Sequence, residues 1–177
     1  GIYYPQDSLK ARFCVRGNRD LYAFCERHAI PCLNTGKVIL AFSQEEIQVL
    51  EGLRRQGERN GVEGLRILDE RGIREREPSI LAAGALLVPS TGVFDVARWF
   101  RVAEGLLYEQ GVMVLKKTPV VGMEPRGQGI RIETGTRGKV LARYVVNAAG
   151  LHADDVGNLL GNRFRIHPIR GDYFSLA

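Results

Sequence analysis

Arg143-Tyr-Val-Val-Asn-Ala-Ala-Gly-Leu-His-Ala-Asp-Asp-Val-Gly-Asn-Leu-Leu-Gly161 is the stretch on which the fold turns. Val145 and Val146 are β-branched and, with Tyr144, predict a short strand. The side chains then shrink to a methyl group or a hydrogen at Ala148-Ala149-Gly150. Asp154 and Asp155 follow as the first turn of a helix, with Val156, Leu159 and Leu160 on one face behind them. Gly161 is placed to end that helix in a left-handed conformation. Strand, small-residue turn and helix N-terminus together bring bare backbone N–H groups up to a ligand, and a Cβ at the glycine would hold that ligand off. The same residues also describe an ordinary tight strand-to-helix connection, so the pattern alone leaves both readings open.

Upstream, Val120 to Glu124, Gly129 to Glu133 and Lys139 to Val146 are three strand-like runs. Arg126-Gly-Gln-Gly129 and Gly135-Thr-Arg-Gly138 join them as turns, which predicts an antiparallel meander leading into the central stretch. Downstream, Arg165 to Leu176 reads as one more strand.

The first half of the chain alternates helix and strand signals. Ser8 to His28 is helical, with Leu21, Phe24, Cys25 and His28 on one face; Gly17-Asn18 is a point where it can divide, and Pro31 ends it. On that face His28 reads as a packed or capping histidine rather than a catalytic one. Gly36 to Phe42 is a strand. Ser43 and Glu46 form a capping box, Phe42 and Ile47 a hydrophobic staple, for a helix that buries Ile47, Leu50 and Leu53 and stops at Asn60-Gly61. Leu65 to Leu68 is a short strand, and Asp69 to Glu77 a charged, solvated helical turn stopped by Pro78. Ala85 to Pro89 is a strand and Ser90-Thr-Gly92 a turn. Asp95 caps a helix with Val96, Trp99, Phe100, Ala103 and Leu107 on its inner face, so Trp99 reads as core. Gly111 closes that helix, and Val112 to Lys116 is the next strand. The fold class is therefore α/β with α+β character: a helix-bearing lobe with an antiparallel meander, beside part of a mixed or antiparallel sheet.

With 177 residues, 45% of them hydrophobic, the chain can bury a real core as one domain or two small lobes. The formal charge of +5 is spread among acidic residues, as in Arg74-Glu75-Arg76-Glu77. A nucleic-acid surface needs clustered positive charge, so no nucleic-acid partner is expected. Cys14, Cys25 and Cys32 have no metal-ligand spacing and read as reduced thiols, and His28, His152 and His167 form no ligand pattern, so no metal site is expected. No apolar run approaches the ~20 residues of a membrane span, and a cytoplasmic location is expected, with association at the inner membrane surface left open.

A dinucleotide-binding fold carries G-x-G-x-x-G after its first strand. Gly127 and Gly129 make a G-x-G, but they sit in a hairpin turn. No nucleophile elbow or Walker loop is present. From the residues alone, an α/β lobe is all that follows.

The segments "IYYPQDSLKARFCVRGN", "TGKVILAF", "REREPSI", "PSTGVFD", "TPVVGMEP", "VVNAAGLHADDV" and "PIRGDYFSL" carry a resemblance that covers essentially the whole chain. "VVNAAGLHADDV" resembles the Ala-(Ala/Thr)-Gly signature of FAD-dependent oxidoreductases of the D-amino-acid-oxidase type. The full set, in this order, is similar to the middle of L-2-hydroxyglutarate oxidases and dehydrogenases. The departure is the family's N-terminal glycine-rich loop, which this chain does not contain, nor does it hold the closing C-terminal part.

The resemblance implies FAD as cofactor and oxidation of a small 2-hydroxy acid by hydride transfer to the flavin. It implies that Val120 faces the adenine through its backbone, and that Ala148, Ala149, Gly150 and Leu151 lie along the nucleotide. It places Arg170, Gly171 and Tyr173 on a strand entering the substrate lobe, with the Arg170 guanidinium suited to gripping a carboxylate. Tyr3, Tyr4 and Lys10 are expected near the flavin or the distal carboxylate. It further implies that residues 1–33 and 95–162 belong to an FAD-binding domain and 34–94 and 163–177 to a substrate domain. The implied partners are the substrate, the remainder of the same polypeptide, and either oxygen or a quinone, at the membrane surface, as electron acceptor. No catalytic residue is assigned within the chain, and it is expected to bind FAD poorly by itself. A relative that oxidises an amine or glycerol phosphate, or a non-catalytic α/β binding module, are the alternatives.

Overall fold

The computed structural model describes residues 1–174 and divides into two compact units, Gly1–Val112 and Met113 onward. The first begins with helix α1, Leu9–Arg27, capped by Ser8, whose Oγ accepts from the Ala11 N–H at 3.1 Å. It runs through Gly17-Asn18 without dividing. A mid-helix glycine costs ~1 kcal/mol, and here the helix is held on both sides of it by the buried Ala11 and Cys25. Asn18 turns its side chain outward and donates from Nδ2 to the Ser90 carbonyl at 3.0 Å. At the C-terminus it is Ala29, before Pro31, that takes the left-handed turn at φ 51°. His28 packs its ring on Phe24 with centroids 4.4 Å apart.

The core lies beneath a three-stranded antiparallel sheet. Its strands are β2 (Lys37–Ala41), β3 (Arg66–Leu68) and β4 (Gly84–Val88), in the order β2-β4-β3. The register sets Ile39 and Ile67 on either side of Leu86. All five residues of β4 are buried, which is why its sequence is a continuous apolar run and not an alternating one. Helix α2, Gln44–Arg59, delivers Leu50, with Ile47 and Leu53 behind it, to a cluster containing Ile2, Ala41, Val62, Leu65, Leu86 and Val88. Ser43 Oγ accepts from the Glu46 N–H at 3.3 Å, while Glu46 Oε2 accepts from the Phe42 N–H at 2.6 Å, one residue before the expected partner. Phe42 itself stays exposed, so hydrogen bonds rather than a staple hold this helix start. Gly61 ends the helix at φ 83°. The charged turn forms helix α3, Glu70–Arg74, capped by Asp69.

Two residue pairs join distant parts of this unit. Strand β1, Cys32–Leu33, runs antiparallel to β5, Val93–Phe94, with Cys32 opposite Phe94 and Leu33 opposite Val93. Helix α4, Val96–Glu109, then starts on Asp95, whose Oδ1 accepts from the Arg98 N–H at 2.8 Å. Its expected inner face is not buried: Val96, Phe100 and Leu107 are exposed. Trp99 is half-buried, between Phe24 at 5.9 Å and Phe100 at 5.2 Å. The apolar pattern is real, but within this unit Phe24 of α1 meets it only at Trp99, and Val96, Phe100 and Leu107 stay exposed. Val112 to Lys116 likewise forms no strand, because it joins no strand ladder among the described residues.

The second unit holds the meander. Strands β6 (Val120–Arg126), β7 (Gly129–Thr134) and β8 (Gly138–Ala142) pair in sequence order, antiparallel throughout. Gly127 at φ 58° and Gly138 at φ 81° supply the left-handed turn positions. β6 is longer than its apolar run predicts because Pro125 and Arg126 continue the ladder opposite Ile130 and Gly129. β8 is shorter. It ends at Ala142, and Tyr144 to Val146, expected as strand, are unpaired, with Tyr144 and Val146 exposed. A 3-10 turn, Gly150–His152, leads into helix α5, Ala153–Asn158, and Gly161 ends the segment at φ 80°. Arg165 to Phe174 has no strand partner among the described residues either, and Ile169, Tyr173 and Phe174 stand almost fully exposed. Ser175 and Leu176, the end of that expected strand, lie outside the described residues. One bond ties the segment back: Asp154 Oδ2 accepts from the Ile166 N–H at 3.0 Å.

Two outcomes test this packing. Gly52 faces open space on α2, whereas a Cβ at Gly57 would stand 2.5 Å from Leu65 Cδ1 and 2.8 Å from Ile2 Cγ2. Gly52→Ala should therefore stabilise by ~0.5–1 kcal/mol and Gly57→Ala destabilise by ~1–3 kcal/mol, measured as opposite shifts of the urea midpoint followed by Trp99 fluorescence. The Ile166 N–H, with the Asp155 N–H, also holds the Asp154 carboxyl below its ordinary value. A lowered folded pKa means that the bond stabilises fully above the ordinary carboxyl range and is lost as pH falls through the folded value. The Ile166 amide proton should shift with that acid titration by NMR, and Asp154→Ala should abolish the shift.

Candidate functional site

The small-residue turn is held from one side chain. Asn147 Nδ2 donates to the Ala153 carbonyl at 2.7 Å, and Asn147 Oδ1 accepts from the Ala149 N–H at 3.3 Å. The first bond spans the turn and the second starts it, an Asx arrangement that asparagine makes locally. The His152 N–H then donates to the Ala149 carbonyl at 3.1 Å. Gly150 sits at φ 60°, and no heavy atom lies within 4 Å of where its Cβ would be. Ala148, Ala149 and Leu151 are exposed beside it. The result is a rigidly tied turn that offers bare backbone to whatever approaches it. Asn147 was legible as part of the motif, but its bracing role depends on a turn that only the folded backbone shows.

Val120 opens β6, an edge strand of the meander, opposite Thr134 and next to a bulge that ends at Gly122. Its outer backbone edge is unpaired by any strand among the described residues. Arg170 is 88% exposed at the side chain, and its Nε donates to Asp172 Oδ1 at 2.8 Å. Gly171 between them and Tyr173 after them are exposed. The structure thus brings Ala148 to Leu151 into one turn, while Arg170 pairs with its near neighbour Asp172 among the described residues.

In the first unit, Lys10 Nζ lies 5.3 Å from the Tyr4 ring centroid, so these two expected residues do meet. A second pair was not anticipated: Lys37 Nζ lies 5.1 Å from the Tyr3 ring centroid. Tyr3 and Tyr4 line a cavity of about 360 Å3 that α1, the start of β2 and the turn after β4 enclose. Asn18, Arg19, Lys37 and Thr91 line it with them. No local pattern announces this cavity, since its walls come from five separate stretches of chain. Among the described residues, no helix is long and apolar enough to cross a membrane.

The family model described as DAO, FAD dependent oxidoreductase, matches residues 1–177. L-2-hydroxyglutarate dehydrogenase of Escherichia coli (strain K12) is 34% identical over 179 residues, covering 100% of this chain and 42% of the relative. The mitochondrial L-2-hydroxyglutarate dehydrogenase of Homo sapiens is 35% identical over 189 residues, covering 99% of this chain and 41% of the relative. The chain therefore spans about two-fifths of the length of the curated relatives it matches. Among solved structures, L-proline dehydrogenase from P. horikoshii superposes with a TM-score of 0.79 at 19% identity, over 94% of this chain and 45% of that one. Glycine oxidase from Geobacillus kaustophilus gives 0.72 at 21% identity, over 87% and 43%. At such identities these two share the fold alone. With the family match running from the first residue to the last, the chain belongs to the DAO family of FAD-dependent oxidoreductases.

Proposed function

We propose that this chain is part of a flavoenzyme that oxidises a small 2-hydroxy acid of the L-2-hydroxyglutarate kind. The observation that carries the reading is end-to-end likeness, at 34–35% identity, to proteins named L-2-hydroxyglutarate dehydrogenase. The turn at Gly150 fits the cofactor: a left-handed, side-chain-free, exposed position is one where a nucleotide can lie against backbone and where any Cβ would intrude. When bound, FAD supplies the acceptor for the hydride that leaves the substrate carbon.

The residues of this chain bind and orient. Ala148, Ala149, Gly150 and Leu151 line the nucleotide, and the Val120 backbone meets the adenine. Arg170, flanked by Gly171 and Tyr173, holds a substrate carboxylate, for which its exposed guanidinium would exchange the weak local pair with Asp172. Tyr4 and Lys10 stand toward the flavin or the far end of the substrate. Residues 1–33 and 95–162 serve the FAD-binding domain and 34–94 and 163–177 the substrate domain. The β1–β5 pairing supports that division, since it joins the points where residues 34–94 leave and return. The remainder of the same polypeptide covers the apolar face of α4 and brings the glycine-rich loop. The enzyme works in the cytoplasm and passes its electrons to oxygen or to a quinone at the membrane surface.

Anaerobic mixing of the full-length protein with candidate substrates tests the reaction. L-2-hydroxyglutarate should bleach the flavin, and bleaching by an amine or by glycerol 3-phosphate in its place would overturn the reading. Reoxidation by oxygen against a soluble quinone identifies the acceptor. Gly150→Val should release flavin while the apoprotein keeps its circular dichroism. Left-handed strain alone is worth ~1–2 kcal/mol, so Gly150→Asn, which tolerates that conformation but adds a side chain, separates the two causes. Flavin loss in both variants supports close approach; an Asn variant with stoichiometric flavin shows that strain was the cause.

A further inference from the structure

The cavity of the first unit is charge-unbalanced. Its wall carries one acid, Glu63, and that carboxylate is taken by Arg19, whose guanidinium bonds it at 2.7 Å and the Gly61 carbonyl at 3.2 Å. Lys37 remains. It is half-buried, lines the same cavity, and has no carboxylate within ion-pair distance among the described residues. A partly desolvated ammonium without a counter-ion is unfavourable, and the Tyr3 ring beneath it offsets only part of that cost. The lysine is also held in place. It is the first residue of β2, paired with Val88, and Gly36 before it takes φ 68° while its N–H donates to the Thr91 carbonyl at 2.8 Å. A cation on a rigid strand, stacked on an aromatic ring and pointing into about 360 Å3 of space, is prepared for an anion that the chain itself does not supply.

We propose that Lys37 binds one carboxylate of a dicarboxylic 2-hydroxy acid in this cavity, with Tyr3 against the ammonium and Thr91 lining the wall beside β2. This rests on the reading that the enzyme oxidises a 2-hydroxy acid, and it adds that the second carboxylate is what the protein selects for. A monocarboxylic acid has nothing to place on Lys37, so discrimination between the two follows from one charge-assisted contact.

The test uses Lys37→Met in the full-length, FAD-loaded protein, since methionine keeps the packing of the stem and removes the charge. KM for 2-hydroxyglutarate should rise about ten- to a hundred-fold while turnover of 2-hydroxybutyrate and the flavin content stay unchanged. Calorimetric titration with glutarate, which cannot be oxidised, should show the same loss, and Lys37→Arg should recover part of it. Equal effects on the diacid and the monoacid, or none, would overturn the proposal. Flavin release would overturn it too, by assigning the cation to a cofactor phosphate. If the wild type oxidises no 2-hydroxy acid, the reaction assignment fails on its own; the glutarate titration then still decides whether Lys37 holds a carboxylate.

Discussion

Strand β4 is buried at every residue, and a buried strand has to satisfy its backbone N–H and carbonyl groups along both edges. β2 pairs all five of its positions and β3 three of them. Around that requirement the first unit assembles. Helix α2 covers the sheet, and the missing side chain at Gly57 lets Leu65 and Ile2 close against it. Ile2 brings the N-terminal stretch with it: Gln56 Nε2 donates to the Ile2 carbonyl at 2.8 Å, and Asn60 Nδ2 to the Gly1 and Tyr4 carbonyls at 2.7 and 2.9 Å. Tyr3 and Tyr4 thus owe their position to the core, and the cavity they line is a by-product of how that core is sealed.

The second unit is built differently. Its meander is held by ladder hydrogen bonds and by surface ion pairs such as Arg131 with Glu124 at 2.8 Å and Lys139 with Glu133 at 3.8 Å. Exposed pairs of this kind contribute little. Around Gly150 the order comes instead from Asn147 and from the turn hydrogen bonds beside it.

What was legible in the sequence were the features whose cause is local. Ser43 and Asp95 cap the helices they were expected to cap, and Gly61, Gly111 and Gly161 take left-handed turns where helices end. Strand signals were less secure. Val112 to Lys116, Tyr144 to Val146 and Arg165 to Phe174 have the β-branched and aromatic content of strands, yet none joins a strand ladder among the described residues. That content describes fitness for a half-buried pleated surface, and whether the surface exists depends on a neighbour. The exposed stripe of α4 tells the same story for a helix. At the candidate site, the Gly150 turn could be anticipated because its shape is written in consecutive residues. The meeting of Lys37 with Tyr3 could not, because a lysine opening a strand looks like any solvated charge until the chain folds an aromatic ring beneath it.

The β1–β5 ribbon has a consequence for the segment it encloses. Leu33 and Val93 face each other across a single ladder step, and the Asp95 N–H reaches the Pro31 carbonyl at 2.9 Å. Residues 34–92 therefore enter and leave at one place between helices α1 and α4, while Asn18 and Arg19 of α1 bond to Ser90, Gly61 and Glu63 within them. A change at Leu33 or Val93 thus acts on both ends of that segment at once, because one ladder step fixes them together.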